Sequence, residues 1–143
     1  MSEVLNSGAG VPAPFPPEPL TVTLAAVPDN LALIRGRLRQ WLVQARVDPE
    51  SCADILLAVG EATANAVEHS VVGVDHLVTL DVTAARCGDL LSLKVSDDGR
   101  WKPAAETQGY RGHGMHLIKA LVDSAELTAT ANGTTVQMLK ELA

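Results

Sequence analysis

The chain has 143 residues, a net charge of −6, a hydrophobic fraction of 47% and only 3% aromatics. That is the length of one ordinary domain with ample material for a core, which must come from Leu, Val, Ile and Ala. The acidic balance argues against a broad nucleic-acid or anionic-membrane surface, and no run of about 18 apolar residues offers a membrane span.

The start lacks the basic and apolar run of a signal peptide. Cys52 and Cys87 have no metal-like spacing. A reduced, cytoplasmic chain is the simplest expectation, with a disulfide as the minority reading. Residues 1–20 hold Pro12, Pro14, Pro16, Pro17 and Pro19 with Gly8 and Gly10. Such a stretch forms neither a regular helix nor a central strand. It reads as a disordered tail or a linker from an upstream domain, leaving residues 21–143 as the folded unit.

Thr21 to Val27 reads as a first strand. Pro28-Asp29-Asn30 marks a helix start, with Asp29 or Asn30 as cap. Leu31, Ile34, Leu38, Leu42 and Ala45 form its apolar stripe, and it ends near Val47. Asp48 caps a second helix that has Pro49 at its first position and runs to about Ser70. His76 to Ala85 and Leu90 to Ser96 are strands paired as a hairpin through Cys87-Gly88-Asp89. After an irregular stretch, Gly112-His113-Gly114 opens a third helix through Val122. Ala125 to Ala131 and Thr134 to Leu139 are the last strands, joined by Asn132-Gly133, a strong hairpin signal. The order β-α-α-β-β-loop-α-β-β predicts an α+β two-layer sandwich. Its mixed, mainly antiparallel sheet is covered on one face by about three helices.

Three stretches carry chemistry. On the second helix Glu61, Asn65 and His69 recur every four residues and share a face, with Glu68 beside it. A carboxylate can take a proton, and an amide oxygen is a hard ligand for Mg²⁺. Alone, the pair also reads as a solvated stripe. At the end of an apolar strand, Asp97 can accept a hydrogen bond from an exocyclic amine such as that of adenine. Gly99 lets backbone approach a flat ligand, although Asp-Gly also suits a plain turn. In Gly109 to Met115, Gly112 and Gly114 open a helix whose amides and dipole form an anion site, and Arg111 adds a positive charge. The bland reading of that stretch is a flexible loop. No P-loop pattern and no nucleophile elbow occur. His113 and His116 are three apart, but His69 and His76 do not complete a zinc set. Trp41 and Trp101 read as core and lid packing.

Together these stretches resemble the GHKL ATPase fold of gyrase, histidine kinases and their relatives. The resemblance is strongest to small bacterial anti-sigma-factor serine kinases, over roughly Thr21 to Leu142. It implies that Glu61 is the general base and Asn65 the Mg²⁺ ligand of an E-x-x-x-N helix. It makes Asp97 the adenine-binding carboxylate and Gly99 the first glycine of D-x-G-x-G, with Trp101 in place of the second. Gly112, Gly114 and Met115 match G-x-G-[LM]-G, with His116 in place of the last glycine. Gly133, Thr134, Thr135 and Val136 match a late G-T-T-V element, in which Thr134 is expected to approach the adenine directly or through water. Arg111, His113 and the neighbouring amides would hold phosphate.

The resemblance also implies function. Such proteins bind ATP·Mg²⁺, phosphorylate a serine on an anti-anti-sigma antagonist and hold a sigma factor inactive, often as homodimers. Partners would be proteins, not nucleic acid or membrane. A histidine autokinase is disfavoured, because the residues before Thr21 are too few and too proline-rich for a phosphoacceptor helix. His69 would instead help order Glu61. The alternative is a non-catalytic ATP-binding module that binds a sigma factor or antagonist, motivated by Trp101 and His116.

Overall fold

A computed structural model describes residues 14–69, 77–99 and 114–142. Five strands form one sheet: β1 (Leu20–Ala25), β2 (Thr79–Cys87), β3 (Leu90–Asp97), β4 (Ser124–Thr130) and β5 (Gly133–Glu141). Their order is β1-β2-β3-β5-β4, and all four pairings are antiparallel. Helices α1 (Asp29–Gln44) and α2 (Pro49–His69) are joined by further helical turns over 114–121, here α3. The α+β two-layer sandwich expected from the order of elements is the one observed.

Strand alternation sets the layers. In β2, β3 and β5 every second residue is buried, so Leu80, Val82, Leu91, Leu93, Val95, Val136 and Met138 face the helices. The opposite face is polar: Ser96 Oγ lies 3.1 Å from Thr135 Oγ1, and Gln137 Nε2 donates to Ser92 Oγ at 3.1 Å. From the helices Ile34, Leu38, Leu42, Ile55, Ala58, Val59 and Ile118 complete an aliphatic core. Trp41 is buried in that core, and its Nε1 donates to Glu18 O at 2.8 Å.

The ends of the elements show how local chemistry fixes the frame. At α1 neither Asp29 nor Asn30 caps. The cap position is Pro28, without a side-chain bond, and Asn30 Nδ2 instead donates back to Ala25 O at 2.8 Å, tying the helix to β1. The helix stops at Gln44 rather than near Val47. Arg46 takes a positive φ of 58°, and Arg46 N and Val47 N donate to Val43 O and Leu42 O, a Schellman closure. The expected Asp48 cap of α2 holds, since Ser51 N donates to Asp48 Oδ2 at 3.0 Å.

The last hairpin turns one residue earlier than expected. Thr130 pairs with Gly133, so the two-residue loop is Ala131-Asn132, and Gly133 opens β5 with φ 148°. An added Cβ there would lie 2.0 Å from Asp97 O, so close contact between β5 and β3 requires glycine. The result puts Thr134 directly opposite Asp97.

Residues 14–19 precede β1 without regular structure, and Phe15 lies 4.1 Å beneath the Arg46 guanidinium. Residues 1–13 of the expected tail lie outside the described residues, as does Trp101.

Candidate active site

The site is built where α2, the start of α3 and the ends of β3 and β5 converge. Helical spacing stacks Glu61 and Asn65 one turn apart on α2. The backbone of α3 comes down onto them at Gly114. A Cβ on Gly114 would lie 2.8 Å from Asn65 Nδ2 and 3.1 Å from Glu61 Oε2. Gly114 is therefore the residue that lets the helix start approach both polar groups.

Across from this pair, Asp97 and Thr134 share a narrow cleft with Asn65 and Met115. Its walls are apolar, from Ala62, Ala66, Val95, Ile118, Leu127 and Val136. Asp97 is held by a tight turn, because Gly99 N donates to Asp97 Oδ1 at 2.9 Å. Gly99 is buried, and a Cβ on it would meet Asp97 Oδ1 at 3.2 Å and Val78 Cγ2 at 3.3 Å. Asp98 braces the same corner: its Oδ1 accepts from Thr79 N at 2.7 Å, while its own N donates to Thr79 O at 3.3 Å.

Of the residues singled out in the sequence, six are thus brought around one cleft or its rim: Glu61, Asn65, Asp97, Gly114, Met115 and Thr134. Gly99 supports Asp97 from behind. Arg111, Gly112 and His113 lie outside the described residues, as does the side chain of His69. His116 is exposed and does not line the cleft. Val78 and Asp98, which shape the corner beneath Asp97, were not singled out. Their only signal was position, beside a strand start and within an Asp-Asp-Gly turn.

The buried polar groups separate structure from site. Among the described residues three polar side chains are buried: Thr63, Asn65 and Thr134. The Thr63 hydroxyl is satisfied by its own helix, donating to Val59 O at 2.9 Å. Asn65 and Thr134 are each only 5% exposed, and no side-chain hydrogen bond satisfies either within the described residues. An unsatisfied buried polar group costs about 1–3 kcal/mol. Two such groups on one cleft beside Asp97 fit a polar ligand that completes them. Among the described residues no cluster of three or more His, Cys, Asp and Glu could hold a metal. The Asn65 carboxamide oxygen would be one hard ligand for a cation such as Mg²⁺.

An E-x-x-x-N helix facing a strand-end carboxylate, with a glycine-started helix between them on an antiparallel sheet, defines a GHKL-type α+β ATPase domain. The chain belongs to the histidine kinase-like ATPase domain family, whose model matches residues 24–140. Among solved structures it is similar to the RsbU and RsbW domains of Rv1364c from Mycobacterium tuberculosis. Identity there is 32% and the TM-score 0.74, over 89% of this chain and 33% of that one. The chain thus spans a third of the length of that relative. It also shares the fold of the histidine kinase domain of a blue-light activated histidine kinase from Erythrobacter litoralis. That likeness has 20% identity and a TM-score of 0.57, over 80% of this chain and 60% of that one. No described helix is long and apolar enough to cross a membrane.

Proposed function

We propose that this domain is an ATP-dependent protein serine kinase that also acts as an anti-sigma factor, its protein substrate being an anti-anti-sigma antagonist. The observation that supports it best is the meeting of Glu61, Asn65 and Gly114: a carboxylate and a buried carboxamide against a glycine-started helix. Phosphoryl transfer needs positioning and charge stabilisation more than covalent chemistry from the protein. Glu61 orients the acceptor serine hydroxyl and takes its proton as the serine oxygen bonds to the γ-phosphorus and the bond to the ADP oxygen breaks. Asp97 accepts from the adenine amine, and Thr134, its cross-strand neighbour, completes that end. The amides of Gly112 to Met115, with Arg111 and His113, are assigned to the phosphates by family resemblance. Asn65 would hold Mg²⁺, which would supply positive charge to offset that of the phosphates. Sigma-factor binding, homodimer assembly and a cytoplasmic setting belong to the same reading, and the RsbW domain in the similar mycobacterial structure accords with it.

The non-catalytic alternative rests on bulky side chains crowding the lid. His116 does not favour it, being exposed and off the cleft. The test is Glu61→Ala. Nucleotide affinity is expected to stay within about threefold, while transfer from γ-labelled ATP to the antagonist falls by roughly 10²–10⁴, the span of a general base. Undiminished transfer, or loss of ATP binding, overturns the assignment of Glu61.

A further inference from the structure

Among the described residues β4 pairs with β5 alone, so it forms an edge of the sheet. An edge strand turns every second N–H and C=O away from its one neighbour. Such edges are commonly blunted by proline, lysine or a bulge. The opposite edge, β1, has Pro19 directly before it. β4 has none of these devices: it reads Ser-Ala-Glu-Leu-Thr-Ala-Thr, and its register against β5 runs unbroken from Ser124 to Thr130. Beside it lies a concavity of about 540 Å³, between the strand and α3. Met115 and Lys119, one turn apart on α3, line one side, and Ser124 to Leu127 line the other. Ala125 and Leu127 are half-buried and form an apolar wall with Met115. Lys119 is exposed, and among the described residues it has no carboxylate within ion-pair distance. Glu126 alternates to the other face of the sheet, where it is exposed opposite the neutral Gln137 of β5.

We propose that the β4 edge beside α3 docks an extended segment of a partner protein, which adds to the sheet as a further strand. In this mode of recognition backbone pairing gives affinity and alternate side chains give selectivity. The charges specify the occupant. Its residues on the helical side are aliphatic, against Met115, Ala125 and Leu127, with one carboxylate for Lys119. Its residues on the other face are polar, with a lysine or arginine across from Glu126, because opposite charges on facing strands attract. A second copy of β4 set in one continuous sheet fits less well. Its helical-side residues would be Ala125, Leu127 and Ala129, which bring no carboxylate to Lys119. Met115 and Leu127 also wall the cleft that holds Asn65 and Asp97. A segment seated on β4 therefore rests against the far side of that cleft, and its docking requires no nucleotide and no transfer.

The experiment uses the whole chain without nucleotide and a fluorescein-labelled peptide of alternating pattern. One face of the peptide carries valines and a single glutamate, the other threonines and a lysine. Anisotropy titration is expected to show saturable binding. Two twins of the peptide are N-methylated at alternate backbone amides, one in each phase. Only one phase faces β4, so one twin is expected to bind roughly tenfold weaker or worse while the other keeps its affinity. Lys119→Glu should weaken binding of the original peptide roughly fivefold, and a peptide with lysine in place of its glutamate should restore it. Lys119 is exposed, so circular dichroism and the melting temperature are expected to stay near those of the unaltered chain. Absent binding, equal affinity for both twins, or binding indifferent to Lys119→Glu overturns the proposal. Binding that fades as the protein is concentrated gives the edge to a second copy and overturns it too. With no nucleotide present, each of these outcomes leaves the transfer test of Glu61 to be decided separately.

Discussion

At the scale of single residues, two glycines bear opposite loads, and substitution separates them. Gly133 sits at φ 148° with Asp97 O only 2.0 Å from where a Cβ would be, and that neighbour is backbone. Nothing can move aside without breaking the β3–β5 register. Gly133→Ala is therefore expected to cost about 2 kcal/mol or more and lower the Tm by several degrees in a thermal melt; an unchanged melt would show that the hairpin tip relaxes freely. Gly114 instead faces side-chain ends, Asn65 Nδ2 and Glu61 Oε2. Those groups can swing away, so Gly114→Ala should leave the melt within about 1 kcal/mol of the parent and weaken ATP tenfold or more by calorimetry. The reverse pattern, a large loss of stability with unaltered affinity, would remove Gly114 from the site. Residue types and spacing made Glu61, Asn65, Asp97 and the glycines legible in the sequence. What spacing could not carry is that, among the described residues, no side-chain hydrogen bond satisfies buried Asn65 or Thr134 while Thr63 is satisfied by its own helix. That difference depends on which strands meet across the cleft.

At the scale of elements, the sequence is most reliable where a local bond decides the boundary. Asp48 and Pro49 set the start of α2 through one side-chain bond to Ser51 N, and the structure has it. The α1 start was misread because the cap position falls on Pro28, which leaves Asn30 inside the first turn, where its Nδ2 donates to Ala25 O of the neighbouring strand. The Asn132-Gly133 signal likewise marked the right hairpin but not its register, because the contact of Gly133 with Asp97 O fixes which residue must lack a Cβ. The Asp48 cap has a pH signature. The Ser51 backbone N–H holds its carboxyl below the usual value, so the bound proton favours the unfolded chain. Its stabilisation is complete above the unfolded value of 3.8 and is lost as pH falls through the lower, folded one. Asp48→Ala should accordingly melt below the parent at pH 7, with the gap closing under strongly acidic conditions. A gap that persists or widens in acid would mean the cap works through something other than the ionised carboxylate.

For the whole molecule, the sheet order β1-β2-β3-β5-β4 is what makes a site from distant segments. Inserting β5 between β3 and the edge strand β4 sets Thr134 against Asp97, while the helical layer lays Glu61 and Asn65 over the same end. Strand count and hairpins were legible from alternation and turn residues; the order was not, since it depends on which strand ends tolerate close approach. A ligand that completes Asn65 and Thr134 should stabilise the folded state alone, by RT ln(1 + [L]/Kd), or about 2.7 kcal/mol at a hundredfold excess over Kd. Thermal melts with ATP and Mg²⁺ are expected to rise accordingly. Asp97→Asn should abolish the rise measured against its own nucleotide-free melt, because the proposed reading of the adenine amine needs a carboxylate acceptor and the amide offers one oxygen and a competing donor. Asn65→Ala should remove the part of the rise that depends on Mg²⁺ and keep part of the rest. If millimolar ATP leaves the parent melt flat, the two unsatisfied groups are not there for a nucleotide. If Asp97→Asn responds as fully as the parent, the base is read elsewhere and the cross-strand pairing of Asp97 with Thr134 serves the sheet alone.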